Sequence, residues 1–498
     1  MNSRLLAGLL IVFAPTAARS QLPAAPSGRC ALDLTFDRPG TAIKLPSGQR
    51  NIYVGGNVVA KCPSQRIVLK ADSLEYYGDE GRAFFIGNVN YTEPRLTLKS
   101  DYLTYFQREE RLLAFLNVDA TLPTGSRLQG PQLEFWRAIP RVREQHGSST
   151  GRPTITIIEK DSAGRAQPPV SVTGNTIWLV GDSTVASSGQ VVVVRPELTA
   201  SGDSLFLDGS TGLLRLMRSP RVLGTKGRPF TLVGQTIDVL SKQRRLDRVL
   251  AKANAEATSQ DLNLKSDTID LRISDDVLQR AIAWGASRAH AVSPQRTLLA
   301  DSIDVLMPNQ KLREMHALRL AVAEGAPDST RFFTPEKDRL TGDTIVAFFD
   351  TTAAPVGDTT SKPRIRSLVS NGNATSLQHL PPRDTTLRKP AIVYVTGATI
   401  TVSFDTGGVQ RVQVRNQQLA SGVYLEPAPD STRTRRGTAT GEPSSAAGTV
   451  SPTTGPTTTP PATPSPATPA GTPPVQASAP APAGGATRTP TAAPPRRQ

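Results

Sequence analysis

The sequence predicts an all-β protein: one elongated, solenoid-like stack of ~30-residue repeats, followed by a disordered tail. Three observations predict it. A strand pattern with a shift of hydrophobic phase recurs ten times, its copies are regularly spaced, and the last stretch of chain has no core-forming composition. The pattern is apolar–x–small–polar–x–Leu/Ile–x–apolar. Clear copies are Leu69-Lys70-Ala71-Asp72-Ser73-Leu74-Glu75-Tyr76, Leu98-Lys99-Ser100-Asp101-Tyr102-Leu103-Thr104-Tyr105 and Leu264-Lys265-Ser266-Asp267-Thr268-Ile269-Asp270-Leu271. Side chains in a strand alternate with period two. Here the apolar positions keep one parity up to the small residue and the opposite parity beyond it. A straight strand would carry its apolar set to the other face, whereas a bulge or corner keeps both halves facing one interior.

The polar residue of each corner falls at Asp72, Asp101, Pro131, Asn175, Asp203, Gln235, Asp267, Asp301, Asp343 and Ala398, with spacings of 29, 30, 44, 28, 32, 32, 34, 42 and 55. The unit is therefore near thirty residues. The long spacings predict insertions that leave the stack as surface loops: roughly Ala138–Pro168, Ala326–Glu336, and the Pro/Thr-rich stretches Thr351–Lys362 and Leu380–Lys389. Between corners lies a second element, seen as Gly56-Asn57-Val58, Gly87-Asn88-Val89 and Leu116-Asn117-Val118. Gln243–Ala257 and Gln310–Glu324 are helix-forming in composition. They occupy the place of this second element, and the first alternates mostly with period two, so both are read as strands.

Residues 1–20 read as a secretory signal: Arg4, the apolar stretch Leu5–Ala14, and Ala18-Arg19-Ser20 before a cut at Gln21. About ten apolar residues before Pro15 are too few to span a bilayer. Residues 21–50 form a lead-in and cap, 51–427 the repeated body, and 428–498 a tail of Pro, Thr, Ala, Ser and Gly in which no core can form. The cysteines are Cys30 and Cys62. In an oxidising export compartment such a pair is most simply a disulfide pinning the first repeats; two free buried thiols are the alternative.

The chain carries 57 Lys and Arg against 42 Asp and Glu, a net charge of +15. Eight of the arginines and two of the acids lie in 1–20 and from 428 onward, which leaves the body at +9. A basic, exported body suits an anionic partner such as phosphate-bearing lipid, acidic polysaccharide or a membrane surface. Nucleic acid fits the charge but not the export signal.

The sequence offers no catalytic constellation. Gly202-Asp203-Ser204-Leu205 matches a short serine-esterase signature, but it lies in the same frame as Ala300-Asp301-Ser302-Ile303, so the repeat accounts for it. None of His146, His290, His316 or His379 has an Asp three residues earlier. A triad therefore lacks its base. The His and Cys residues are too scattered for a zinc site, and no glycine loop cradles a phosphate, so no enzyme activity, metal or cofactor is expected.

The alternation of Ala/Ser-Asp-x-Leu-x-Tyr with Gly-Asn-Val, clearest over Asn51–Trp136 and traceable to Ile400, resembles the OstA-like (organic solvent tolerance) family of lipopolysaccharide-transport periplasmic proteins. Gly422-Val423-Tyr424-Leu425-Glu426-Pro427 is similar to that family's end of array. The resemblance implies a twisted β-jelly-roll open along one side. Lipopolysaccharide, or a similar anionic glycolipid, would ride with its acyl chains in the apolar interior. It also implies partners of the same fold, joined by edge-strand pairing, and a place in the periplasm next to the outer membrane. The chain departs from the family in its length, its tail and its lack of the outer-membrane member's barrel.

Under this reading the groove is lined by Leu74, Leu103, Leu133, Ile177, Leu205, Ile237, Ile269, Ile303, Ile345 and Ile400. The alternative is a structural or adhesive β-solenoid in which these ten residues form a closed core. The corner residues Asp72, Asp101, Asp203, Asp267, Asp301 and Asp343 are expected to bond nearby backbone amides, a structural role.

Overall fold

A computed structural model of the chain describes residues 11–12, 18–21, 32–158, 164–165, 167–243, 245–260, 262–293, 296–327, 332–350, 364–384, 387–405, 408–415 and 422–428. It separates a unit Met1–Thr432 from a unit Arg433–Gln498, and every described residue belongs to the first. The tail from 428, apart from its first residue, thus lies outside the described residues, as do Cys30 and the loop Thr351–Lys362. So does most of the expected signal. Two short pieces are described there, Ile11–Val12 within it and Ala18–Gln21 across its end, and they pair with Thr41–Lys44 and Asp33–Phe36.

The protein is almost entirely strand, as the parity shifts required. Each pass of the chain forms one rung. A rung is either one long bent strand, such as Ile67–Tyr77, Arg82–Glu93, Leu96–Phe106 and Arg111–Thr121, or two short strands meeting at the corner, such as Val170–Thr173 with Thr176–Val180. Each rung pairs antiparallel with the rung before and the rung after. A ~30-residue repeat is therefore two rungs and two turns.

The corner has two complementary halves on alternate rungs. Between Leu96–Phe106 and Arg82–Glu93 the register jumps from Ile86↔Tyr102 to Val89↔Ser100, so Gly87 and Asn88 stand opposite Asp101 alone. That is a bulge, which bends the ladder. The extra residue is accommodated by two successive left-handed residues, Gly87 (φ 79) and Asn88 (φ 45), and the same device recurs at Gly56/Asn57, Gly189/Gln190, Ala253/Asn254, Arg319/Leu320 and Gly372/Asn373. The second element is therefore the bulged half of the corner.

Four of the corner aspartates bond to a neighbouring rung, one of them, Asp267, to a backbone amide as expected and three to side chains. Asn88 Nδ2 donates to Asp72 Oδ2 and Asn117 Nδ2 to Asp101 Oδ2, both at 2.8 Å. Asp267 does accept a backbone amide, from Ser287 at 2.7 Å, while Asp203 meets Arg218 at 3.3 Å. At Asn57, Asn88 and Asn117 the bulge side chain reaches a neighbouring carboxylate (Asp37, Asp72 and Asp101), so in the first repeats the Asp motif and the Asn-bearing bulge complete each other.

The two stretches rich in Ala, Leu, Arg and Lys are strands, Arg245–Ser259 and Glu314–Gly325. The expected loop Ala138–Pro168 is a correction. It holds a complete rung, His146–Thr150 with Thr154–Ile157, hydrogen-bonded to Arg127–Trp136 on one side and to Thr176–Val180 and Val170–Thr173 on the other. Its inward positions include Gln145, Gly147 and Ser149, so the apolar signal is missing. The Ser149 hydroxyl satisfies itself on the Gln132 carbonyl at 2.5 Å.

The two halves of every rung face one another across a single continuous core. In Leu96–Phe106, Leu96, Leu98 and Ser100 are buried before the corner and Leu103 and Tyr105 beyond it, the parity shift made visible. From about residue 245 large and small side chains alternate by rung. Leu264, Ile269 and Leu271 lie between Val249, Ala251 and Ala255 on one side and Ala281, Ala283, Ala289 and Ala291 on the other. Such interleaving fills a narrow interior without voids.

Candidate functional site

The bent rungs converge at the corners and diverge toward their turns, so the turns form two rims facing each other across a mouth. One rim holds turns such as Pro63–Gln65, 93–96 and 121–127. The other holds 77–82, 106–111 and 180–184. The ten predicted groove residues lie just past the corners, the deepest place available. All ten are buried, none more than 2% exposed. They are brought together as one apolar spine, packed against the opposite half-sheet.

Two cavities among the described residues lie at the mouth. A cavity of about 280 Å³ is lined by Leu122, Ile155, Ile157 and Ile158 from the first rim and by Leu179, Val185 and Leu207 from the second, with the polar tip Gly181–Thr184 at its edge. A smaller one of about 60 Å³ repeats the arrangement further along, with Phe230 and Leu262 facing Leu278, Met307 and Leu312. Ligand pockets typically hold about 300–1,000 Å³, so the larger cavity is close to the lower end of that range.

Along the stack polar side chains tie the rims together. Arg137, on the second rim, reaches Glu93 Oε2 at 2.8 Å and Gln65 Oε1 at 2.6 Å on the first, and Glu110 Oε2 at 2.6 Å on its own. Tyr105 donates to Glu110 at 3.1 Å. Burial, followed by the Glu110 charge, pushes the Tyr105 hydroxyl above its ordinary value. Burial works against the Arg137 charge, yet the facing oxygens of Tyr91, Glu93 and Tyr105 hold its pKa above that of a free guanidinium.

Further ties are Arg95 to Gln145 at 3.4 Å, Arg195 to Ser241 at 3.3 Å, and Arg228 N–H to Gln310 Oε1 at 2.7 Å. Lys226 meets Asp276 at 2.8 Å, and the Arg296 guanidinium lies 4.2 Å over the Phe404 ring. In every tie the second-rim partner comes later in the chain, so the rims are staggered along the stack.

At the first rim near residue 338 a buried cluster adds to this. The His379 backbone N–H and Nδ1 lie 2.8 and 3.0 Å from Asp338 Oδ1. Burial raises the Asp338 pKa against the pull of His379 and Arg296. Burial likewise depresses Arg296, against the Asp338 charge.

Cys62 is fully buried at the end of Arg50–Cys62 and is disulfide-bonded. The other cysteine of the chain, Cys30, lies outside the described residues. Ser204, in the esterase-like signature, pairs with Ser188 and Met217 on the neighbouring rungs. Among the described residues no group of three or more His, Cys, Asp or Glu could hold a metal.

The rim residues were not legible in the sequence, because each tie is made once and does not recur with the repeat. The available hint was charge at the ends of rungs, as in Glu93-Pro94-Arg95 and Arg195-Pro196-Glu197. No protein-family model matches the chain, and no curated protein matches it.

Proposed function

We propose that the chain is an OstA-like periplasmic bridge protein for outer-membrane assembly that binds lipopolysaccharide, or a similar anionic glycolipid, by its acyl chains at the mouth. The observation that carries this reading is the apolar cavity between Leu122, Ile155 and Ile157 on one rim and Leu179, Val185 and Leu207 on the other. An acyl chain there leaves water at about 0.8 kcal/mol per methylene. Its polar head would remain at the rims, beside a body with net charge +9 from its excess of Lys and Arg. A multi-chain lipid needs more than 280 Å³, so binding must part the rims near that cavity.

The last described rung supports assembly with partners of the same fold. Its strand Gly422–Leu425 pairs with Ala391–Asp405, and Val423, Tyr424 and Leu425 are exposed. An uncovered strand edge is a template for strand addition. Cleavage after Ser20 would bare the first rung in the same way, since Ala18–Gln21 pairs with it.

The second reading, a structural or adhesive β-solenoid, draws on the complete burial of the ten corner residues. Native mass spectrometry of the mature chain purified from a diderm periplasm separates the two. The proposal expects a co-purifying glycolipid of stoichiometric mass, released by detergent. A chain that stays unliganded after incubation with lipopolysaccharide fits only the closed solenoid.

A further inference from the structure

The strand Thr176–Val180, whose Leu179 lines the mouth cavity, also lines a second cleft on the outer face of the sheet. This cleft has a volume of about 380 Å³ and lies between Trp136 and His146 on one side and Trp178 on the other, with Ser148 at its floor and Glu144 at its end. Strand register builds it. Glu134, Ser148 and Trp178 stand in one row across three rungs, and Trp136, His146 and Val180 in the next. The small Ser148 lowers the floor between large neighbours. Trp136 stacks on His146 with ring centroids 4.6 Å apart and 15° between planes, which holds the two rings as one aromatic pair at the edge of the cleft. Trp178 is 40% exposed and Val180 46%. Two of the chain's three tryptophans thus face an outward cleft that the core does not require.

We infer that this cleft is a saccharide-binding site, taking the pyranose rings of a glycan against its aromatic walls. A pyranose has one face of C–H groups and an edge of hydroxyls. The C–H face matches the electron-rich face of an indole ring. The hydroxyl edge meets the Ser148 hydroxyl, the His146 ring and the Glu144 carboxylate at the cleft's floor and end.

The neighbouring cavity narrows the source of the glycan. Leu179 and the tip after it separate the two spaces: Leu179 lines both, and Gly181 and Asp182 border the inner one. Gln145, which lines the outer cleft, donates to Asp182 Oδ1 at 2.6 Å and fixes the tip. A glycolipid with its acyl chain inside would lead its sugars round this tip into the cleft. That link rests on the proposed function, whereas the saccharide site itself does not.

The test uses two probes on the mature full-length chain: fully deacylated lipopolysaccharide, followed by tryptophan fluorescence, and cis-parinaric acid for the inner cavity. The site predicts saturable quenching by the deacylated glycan. Trp178→Ala should weaken that binding about tenfold or more, Trp178→Phe should largely restore it, and parinaric acid binding should not change in either variant. Absence of glycan binding up to ~10 mM, or unchanged affinity in Trp178→Ala, overturns the site. Glycan binding without parinaric acid binding keeps the saccharide site and removes the acyl-chain reading. Glycan binding with unchanged affinity for intact lipopolysaccharide in Trp178→Ala identifies a free polysaccharide as the ligand.

Discussion

Replacing Arg137 with Ala should cost about 3–5 kcal/mol, because it strands two buried carboxylates. The Arg137, Glu93 and Glu110 side chains are 13%, 6% and 9% exposed, and the guanidinium is the cation that meets both acids. Without it, Glu93 and Glu110 remain at the rims without a counter-charge. A loss of that size is a large share of the 5–15 kcal/mol that stabilises an ordinary domain.

Urea unfolding followed by tryptophan fluorescence measures it, and Trp136 is adjacent in sequence. A stack of rungs touches only its neighbours along most of its length, so the damage should be local. Amide exchange should accelerate roughly 10²- to 5 × 10³-fold over residues 67–136 and stay unchanged over 263–306. The triple variant Arg137→Met, Glu93→Gln, Glu110→Gln should recover most of the loss, since no charge is then stranded. A loss below about 1 kcal/mol, or one spread evenly over the stack, would refute the argument that this cluster clasps the rims.

Other consequences concern the corners, the outer face and the N-terminal end. A double-mutant cycle on Asp101→Ala and Asn117→Ala should give a coupling of about 0.5–1.5 kcal/mol; no coupling would mean that the 2.8 Å contact contributes nothing. Gly87→Ala should destabilise by about 2 kcal/mol or more, because its φ is 79° and the new Cβ would lie 2.4 Å from Asp72 Oδ2. Ala253→Gly, at φ 59°, should stabilise by about 1 kcal/mol, as thermal unfolding of the pair would show.

Burial opposes ionisation of Asp238, but the Arg215 and Lys252 hydrogen bonds win and lower its pKa. Its contribution is then present above the unfolded carboxylate value near 3.9 and is lost as pH falls through the depressed folded value. Asp238→Asn should therefore be less stable than wild type at pH 7 and converge with it near pH 2; a pH-independent difference would exclude the ion pair as the cause. Non-reducing peptide mapping should join the peptides holding Cys30 and Cys62. Reduction should loosen the first rungs by about 2–4 kcal/mol, read by amide exchange there.

The corners were legible because burial parity is written directly into apolar residues: Leu98 and Leu103 lie on opposite parities and both point inward. The same logic recovered Arg245–Ser259 as a strand against its helical propensity, since alternate burial outweighs a weak intrinsic preference. It failed at His146–Thr150, where Gly147 and Ser149 occupy inward positions that a reader of hydrophobicity passes over. The role of Asn88 and Asn117 was hidden for another reason: their partners are sixteen residues earlier on a neighbouring rung, and a motif read along one strand cannot show a bond across two. The candidate site was legible only in part. The corner residues mark where the half-sheets converge, while the space lies at the diverging ends, lined by Leu122, Ile157 and Leu207. Rim ties such as Arg137 to Glu93 depend on the stagger of the rims, which no repeat unit encodes.

The most direct test is photocrosslinking in cells with a probe at Ile157 or Leu207 on the mouth cavity, compared with Leu205 at the corner and Asp203 on the outside. The account predicts a lipopolysaccharide adduct at 157 and 207 and none at 203. No adduct at either mouth position, with the probe-bearing chains folded and exported, would contradict it and leave a closed β stack without a lipid.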